Sequence, residues 1–334
     1  MLLCLYIYLP VLYYLYHRFN EITTHCEKVM LNNIVKKYFG IGIALAIVAA
    51  LLFPYSAVKL HPLAVLFLFC LMVVTGITID WPRMKIILKK PIAILFGNCI
   101  IYLIVPVIVF LLSKILLTTD QYIYGAVFAA LTPAAIVAPF FTRLFKGNTE
   151  LSFGILVSSM ILSPLLIPIM LKLLLGDTVT MPTMLLAKDM LLLIPLPLLL
   201  GFSIKTFFAK ISKIVYDNSP ILNFVFLSLL IFILFGVSLQ KVNLGYGGYS
   251  ELGWLLLIFF VQDFGLILGA RFVFWPRMPS ADRTAIILSA SMKNIAIAAG
   301  ILLIYDPRAA IAPGIAFIVH AFLFTPWILK KLLK

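Results

Sequence analysis

Apolar side chains run along this sequence in long unbroken stretches, separated by short charged links. Ten stretches read as helical units: 38–56, 61–79, 91–117, 121–144, 149–175, 183–208, 219–240, 252–275, 283–305 and 308–330. None alternates with the period of two that a membrane barrel needs. A helix crosses the hydrocarbon core with about 20 apolar residues, and each stretch is near or above that length. The links carry turn formers and charges, as in Trp81-Pro82-Arg83, Lys146-Gly147-Asn148 and Trp275-Pro276-Arg277. The pattern predicts an all-α polytopic membrane protein with ten transmembrane helices. Residues 2–16 are apolar but short, and His17, Arg18, His25, Glu27 and Lys28 follow them. Residues 1–29 are therefore expected to be an N-terminal extension, either upstream of a natural start at Met30 or an interfacial helix, rather than an eleventh span.

Composition sharpens this picture. Of 334 residues, 64% are hydrophobic and 11% charged, against roughly 45–50% and 25% in soluble domains. Soluble enzymes, nucleic-acid binders, coiled coils and disordered chains are excluded. The net charge of +14 has a topological reading instead of a nucleic-acid one. Eighteen basic residues fall on the side of Lys36 and Lys37, and six on the other: Lys59, Lys114, Lys172, Lys188, Lys241 and Arg308. By the positive-inside rule, residue 30 onward and the C-terminus are expected in the cytoplasm, with the chain in the cytoplasmic membrane. Cys4, Cys26, Cys70 and Cys99 have no metal-ligand spacing, so they read as small hydrophobes and no metal site is expected.

Ten spans divide into five and five, at residues 30–176 and 177–334. An odd number per half makes the halves inverted relative to each other, a plan common among secondary transporters. Gly76–Asp80 and Gly236–Gln240 close spans 2 and 7 at matching positions. Span 4 carries Pro133 and Pro139 in its middle. Span 9 carries Ser289, Ser291, Lys293 and Asn294 in its middle. Proline removes a backbone donor, and in lipid such a break persists only where protein or a wet cavity supplies partners. Broken helices 4 and 9 would meet near the midplane, with their positive ends favouring an anion. Lys293 would strengthen that preference, and Thr132, Ser289, Ser291 and Asn294 would orient the substrate.

Two ionisable residues sit deep in spans: Lys293 in span 9 and Asp263, after Gln262, in span 8. A central charge costs from about 2.5 kcal/mol upward, so each needs a cavity or a partner. A Lys293–Asp263 contact is one expectation, either as a packing ion pair or as a proton-exchanging one. His320 in span 10 reads as a proton relay or as a histidine satisfied by a backbone carbonyl. Asn98 and Thr132 either line a cavity or bind helices together. Asp80 and Lys85 read as charges at the headgroups.

Residues 133–168, PAAIVAPFFTRLFKGNTELSFGILVSSMILSPLLIP, resemble the span 4–5 motif of the bile acid:sodium symporter family. Residues 283–314, RTAIILSASMKNIAIAAGILLIYDPRAAIAPG, resemble its span 9–10 motif, and GITIDWPRMKIILKKP from residue 76 also fits. The likeness covers about residues 35–330. It implies a 5+5 inverted repeat of ten helices, arranged as a panel and a core domain, with discontinuous helices 4 and 9 crossing. It also implies transport of organic anions, often with sodium. By the same resemblance, the sodium-ligating Ser-Asn pair falls on Ala138 and Pro139, a threonine position on Leu156, a glutamate on Ser289 and a glutamine on Lys293. Ser152 and Asn294 are kept. The resemblance therefore implies that sodium coupling is replaced, with Lys293 supplying a fixed positive charge. Arsenite permeases, which share the fold, are expected to carry a cysteine in broken helix 4; residues 130–145 hold none.

The function expected is secondary active transport of a small organic anion by alternating access, with no cofactor. A second reading is proton-coupled efflux or antiport through Asp263 and Lys293, with Ser152 and His320 as further coupling candidates. A third is a non-transporting receptor or assembly subunit. No HExxH, GxGD or Ser–His nucleophile motif points to an enzyme. The partners are the organic anion and the lipid bilayer, not nucleic acid, and monomer and homodimer stay open.

Overall fold

The computed structural model of the chain describes residues 42–79, 90–176, 183–241, 248–272 and 278–323. The N-terminal extension, Asp80 and Lys85 lie outside these. The described residues are helical almost throughout. The helices are α1 (Gly42–Leu52), α2 (Pro54–Thr78), α3 (Pro91–Leu116), α4 (Asp120–Leu131), α5 (Ala138–Leu144) and α6 (Thr149–Leu175). They continue as α7 (Thr183–Phe207), α8 (Ala209–Lys241), α9 (Gly248–Phe272), α10 (Ser280–Ser291), α11 (Ile295–Tyr305) and α12 (Ile311–Leu323). Six of them, α2, α3, α6, α7, α8 and the 250–267 stretch of α9, are long and apolar enough to cross a bilayer. At 1.5 Å per residue, the 26 residues of α3 exceed the roughly 30 Å hydrocarbon core.

Prolines explain much of the segmentation. Pro54, Pro91 and Pro139 sit in the first turns of α2, α3 and α5, where the missing N–H would have had no partner anyway. Prolines inside the long helices free a carbonyl one turn back, and at two of them a serine answers. In α6 the Ser163 hydroxyl donates to the Met160 carbonyl (2.8 Å), the one that Pro164 orphans. In α8 the Ser219 hydroxyl does the same for Tyr216 (2.8 Å), ahead of Pro220. A Ser-Pro pair thus repairs the ladder it interrupts, as a membrane interior demands.

The helices form two packed groups. In one, α2 lies against α7 and α8. The approach is close because of glycine: a Cβ on Gly76 would collide with the Leu198 carbonyl, and one on Gly201 with the Val73 carbonyl. Small residues permit such contact between membrane helices. The other group comprises α3–α6 and α9–α12. At its centre α4 and α11 are apolar all round, with residues 122–131 and 295–303 wholly buried, as expected of helices enclosed by others. The groups meet where α11 and α12 pack on α2 and α8, and α6 on α7. His61 Nε2 lies 2.9 Å from the Leu303 carbonyl there, and Tyr305 hydrogen-bonds Asp189.

Candidate functional site

The fourth apolar stretch is two helices, α4 and α5, joined by residues 132–137. The ninth is also two, α10 and α11, joined by residues 292–294. The two links run antiparallel and pair at Ala134 and Lys293. Ala135 N–H donates to the Met292 carbonyl (2.6 Å), and Asn294 N–H to the Pro133 carbonyl (2.8 Å). Each link thereby supplies backbone partners that the other has lost by leaving the helix. Each is also held by the second helix after it. The Ser159 hydroxyl of α6 accepts from Ala134 N–H (3.2 Å), and His320 Nε2 of α12 lies 3.4 Å from Lys293 N.

Lys293 is 3% exposed, and its ammonium donates to the Ile101 carbonyl of α3 at 3.1 Å. The reason that carbonyl is available lies in α3 itself. Residues Ile100–Ile104 form a wide turn in which Val105 N–H bonds back to the Ile100 carbonyl. The next residue, Pro106, has no N–H to offer. The Ile101 carbonyl is left without a main-chain donor, and Lys293 takes the place. Such wide turns frequently mark functional positions. Beside it, the Tyr102 hydroxyl donates to the Ser159 carbonyl (2.5 Å), tying α3 to the helix that holds the other link.

Asp263 is fully buried in α9. Its Oδ1 accepts from Gln262 Nε2 (3.0 Å), and its Oδ2 lies 3.3 Å from His320 Nδ1. That nitrogen also lies 2.9 Å from the Ala316 carbonyl, which takes its hydrogen bond, and Oδ2 accepts none. The expected Lys293–Asp263 contact is therefore indirect. No ion pair within 4.0 Å joins them among the described residues, because Lys293 reaches toward α3 while His320 lies between Asp263 and the Lys293 backbone. His320 has the carbonyl partners expected of it, with Ala316 O at Nδ1 and Ser291 O 3.1 Å from Nε2, and the Asp263 carboxylate lies beside Nδ1.

The remaining candidates separate by what they already hold. The Thr132 hydroxyl donates to Ala129 O (2.7 Å) and the Ser291 hydroxyl to Ile287 O (2.9 Å), each within its own helix. Ser152 and Ser289 hydrogen-bond each other at 2.8 Å, both buried. Ala138 is buried with Ile267, Leu288 and Met292, and Pro139 opens α5 beside it. Asn294, 7% exposed, keeps a buried Nδ2 with no hydrogen-bond partner. Asn98 binds helices together, donating to Ser158 Oγ (2.8 Å).

Three features escaped the reading of the sequence. Ser159 holds the first link, and only the tertiary fold shows it. The Ile101 carbonyl had a signal in Pro106, five residues on. Asp282 anchors one end of the core, accepting from Lys90 Nζ (2.6 Å) and Asn148 Nδ2 (2.6 Å), while Asn148 Oδ1 caps α6 through Leu151 N–H. A cavity of about 380 Å³ opens between α3, α9 and α10, walled by apolar side chains with Gln262 and Arg283 as its polar members. None of its lining residues belongs to α2, α7 or α8.

Long apolar helices enclosing two interrupted ones, with buried ionisable groups beside the interruption, are the build of a polytopic membrane protein. Sequence comparison gives the family. The model of the Sodium Bile acid symporter family matches residues 65–243, from within α2 to just past α8, and the chain belongs to that family. Its members are transporters, not enzymes. The chain is 24% identical over 288 residues to the "Uncharacterized sodium-dependent transporter YocS" of Bacillus subtilis (strain 168), covering 84% of this chain and 87% of that protein. It is 22% identical over 188 residues to the "Probable sodium/metabolite cotransporter BASS3, chloroplastic" of Oryza sativa subsp. japonica, covering 56% of this chain and 43% of that one. The resemblance drawn from the span 4–5 and 9–10 motifs is borne out at the level of the family.

Proposed function

We propose that this secondary transporter carries a small organic anion by alternating access, through a ten-span inverted repeat in which the crossing of the two links is the substrate site. The observation that carries the reading is the buried Asn294 Nδ2, a donor with no acceptor, at the start of α11. An unmade hydrogen bond on a buried amide costs about 1–3 kcal/mol, and an anionic oxygen would recover it. The start of α11 adds the positive end of its dipole, and the buried Lys293 adds a full charge in the adjoining residue. The helix group α2, α7 and α8 touches the crossing group through α6, α11 and α12, so rocking about that contact is the motion proposed.

The residues present do not suit a sodium cage. Ala138 and Pro139 have no side-chain oxygen, Ser152 and Ser289 are engaged with each other, and Lys293 brings its own cation. The names of the relatives say sodium of those proteins. On this reading Lys293 supplies a positive charge in place of a mobile cation.

The test is a thermal-unfolding screen of organic acids at several pH values, with and without sodium. An acid at 100 times its Kd stabilises by about 2.7 kcal/mol. The expected result is stabilisation by an acid but not by its uncharged amide, indifferent to sodium and lost in Asn294→Ala. Equal stabilisation by the amide, or an absolute need for sodium, would overturn the reading.

A further inference from the structure

We infer that the ion coupled to transport is a proton, and that it is held between Asp263 and His320 rather than on Lys293. The inference rests on the transport reading above and names its coupling site.

Asp263 has no exposed surface, and its Oδ2 accepts no hydrogen bond. A buried carboxylate oxygen without a donor is an expensive arrangement, and a proton is the smallest group that resolves it. The groups facing Asp263 from the helices packed on α9 are few. From α12 comes His320, with Nδ1 3.3 Å from Oδ2. From the α10–α11 link comes Lys293, whose ammonium is committed to Ile101 O. From α10 comes Arg283, on the wall of the cavity that Gln262 also lines. From α3 comes Tyr102, whose hydroxyl is spent on Ser159 O. Among the described residues, His320 is the titratable side chain within 4 Å of the carboxylate. Gln262, which donates to the carboxylate, also lines the cavity.

The second ring nitrogen gives this pair its mechanical consequence. Nδ1 has two acceptors before it, Ala316 O and Asp263 Oδ2, so without the coupled proton the ring's single hydrogen sits there; with it, one hydrogen is on Nε2 and the other is shared between Nδ1 and Oδ2. Nε2 has one acceptor, Ser291 O at 3.1 Å, and one donor, Lys293 N–H at 3.4 Å. A ring protonated at Nε2 donates to Ser291, the last residue of α10. A ring without that proton accepts from Lys293, inside the link. Gaining or losing one proton therefore exchanges a bond to the end of α10 for a bond to the crossing link, the element the anion is proposed to occupy. The proton enters from one aqueous side, resides on the Asp263–His320 pair, and leaves to the other when the helix groups have rocked. No other bond forms or breaks.

The experiment is infrared difference spectroscopy of the full-length protein in lipid, titrated across the pH range in which it stays folded. No substrate is added. A slowly exchanging protonated-carboxyl band is expected to titrate in the wild type, to be lost in Asp263→Asn, and to titrate at a displaced midpoint in His320→Gln. Should Asp263→Asn fail to assemble, Asp263→Glu is expected to restore a band at a shifted frequency. A band that survives Asp263→Asn, a band indifferent to both Asp263→Glu and His320→Gln, or no titrating band in the wild type overturns the proposal. Because this reads the proton without the anion, its failure leaves the organic-anion reading standing, and failure of the thermal screen leaves this one standing.

Discussion

Whether Lys293 serves the Ile101 carbonyl can be read from a double-mutant cycle with Pro106. Lys293→Met alone is a poor test, because two large effects oppose each other. It strands a buried carbonyl, costing about 1–3 kcal/mol, and it relieves the desolvation of an ammonium, worth several kcal/mol. Pro106→Ala acts on the same carbonyl from the other side. Alanine restores an N–H. Whether α3 keeps its wide turn, with residue 106 donating to Ile101 O, or relaxes so that Val105 does, the carbonyl gains a main-chain donor. In the wild type that donor competes with the 3.1 Å bond from Lys293. In Lys293→Met it fills a void. Pro106→Ala is therefore expected to be more favourable in the Lys293→Met background by about 1 kcal/mol, the net worth of one hydrogen bond. Unrelated sites add to within about 0.3–0.5 kcal/mol, so a coupling of that size is resolvable. The assay is unfolding of the four purified proteins in mixed micelles by titrated sodium dodecyl sulfate. Additivity within that margin would refute the account of why the lysine is tolerated where it lies.

Two further predictions concern the fold that carries the site. Ser163→Ala strands the Met160 carbonyl inside the bundle and is expected to cost about 1–2 kcal/mol. Ser219→Ala removes the same device at an exposed position and should stay within about 0.5 kcal/mol; equal effects in the same unfolding assay would count against the repair argument. Gly76→Ala drives a methyl into the Leu198 carbonyl and is expected to cost about 1–3 kcal/mol or more, as overpacking does. Gly253→Ala, with open space around it, should be silent.

How far the sequence could be read depended on whether the signal was local. The stretch 149–175 announced α6 by length and apolarity, and the link Lys146-Gly147-Asn148 announced the turn before it; that Asn148 caps the helix is seen in the fold. Pro133 and Pro139 announced an interruption between Leu131 and Ala138, since a missing N–H acts where it stands. The polar cluster of span 9 pointed to the second interruption, and Met292–Asn294 lie in it. What lay beyond reach was who satisfies whom. Asp263 and Lys293 are close in sequence, which made their contact the natural expectation, yet the carboxylate's neighbour is His320, 57 positions away. The lysine's acceptor is a backbone atom of α3, invisible to any reading of side chains except through Pro106. Ser159 looks like any small residue of a membrane helix until the link is laid across it.

The two links invite a comparison that their shared geometry makes sharp. Each is an interruption paired to the other, and each is held from outside by the second helix after it: the first by Ser159 of α6, the second by His320 of α12. The tasks are alike but the side chains are not. A serine hydroxyl accepts from Ala134 N–H and donates to Leu156 O (2.9 Å) at every pH of interest, so it can only hold. A histidine with an acceptor and a donor before the same nitrogen can hold in two ways, and a buried carboxylate stands against its other nitrogen. The fixed charge also belongs to the second link, on Lys293, while its counterpart position in the pairing is Ala134. On the proton coupling proposed above, the first crossing link is an inert brace and the second is the part that responds. Changes that alter coupling without dismantling the site should accordingly concentrate in α9, α10 and α12, and changes at Ser159 should act on stability first.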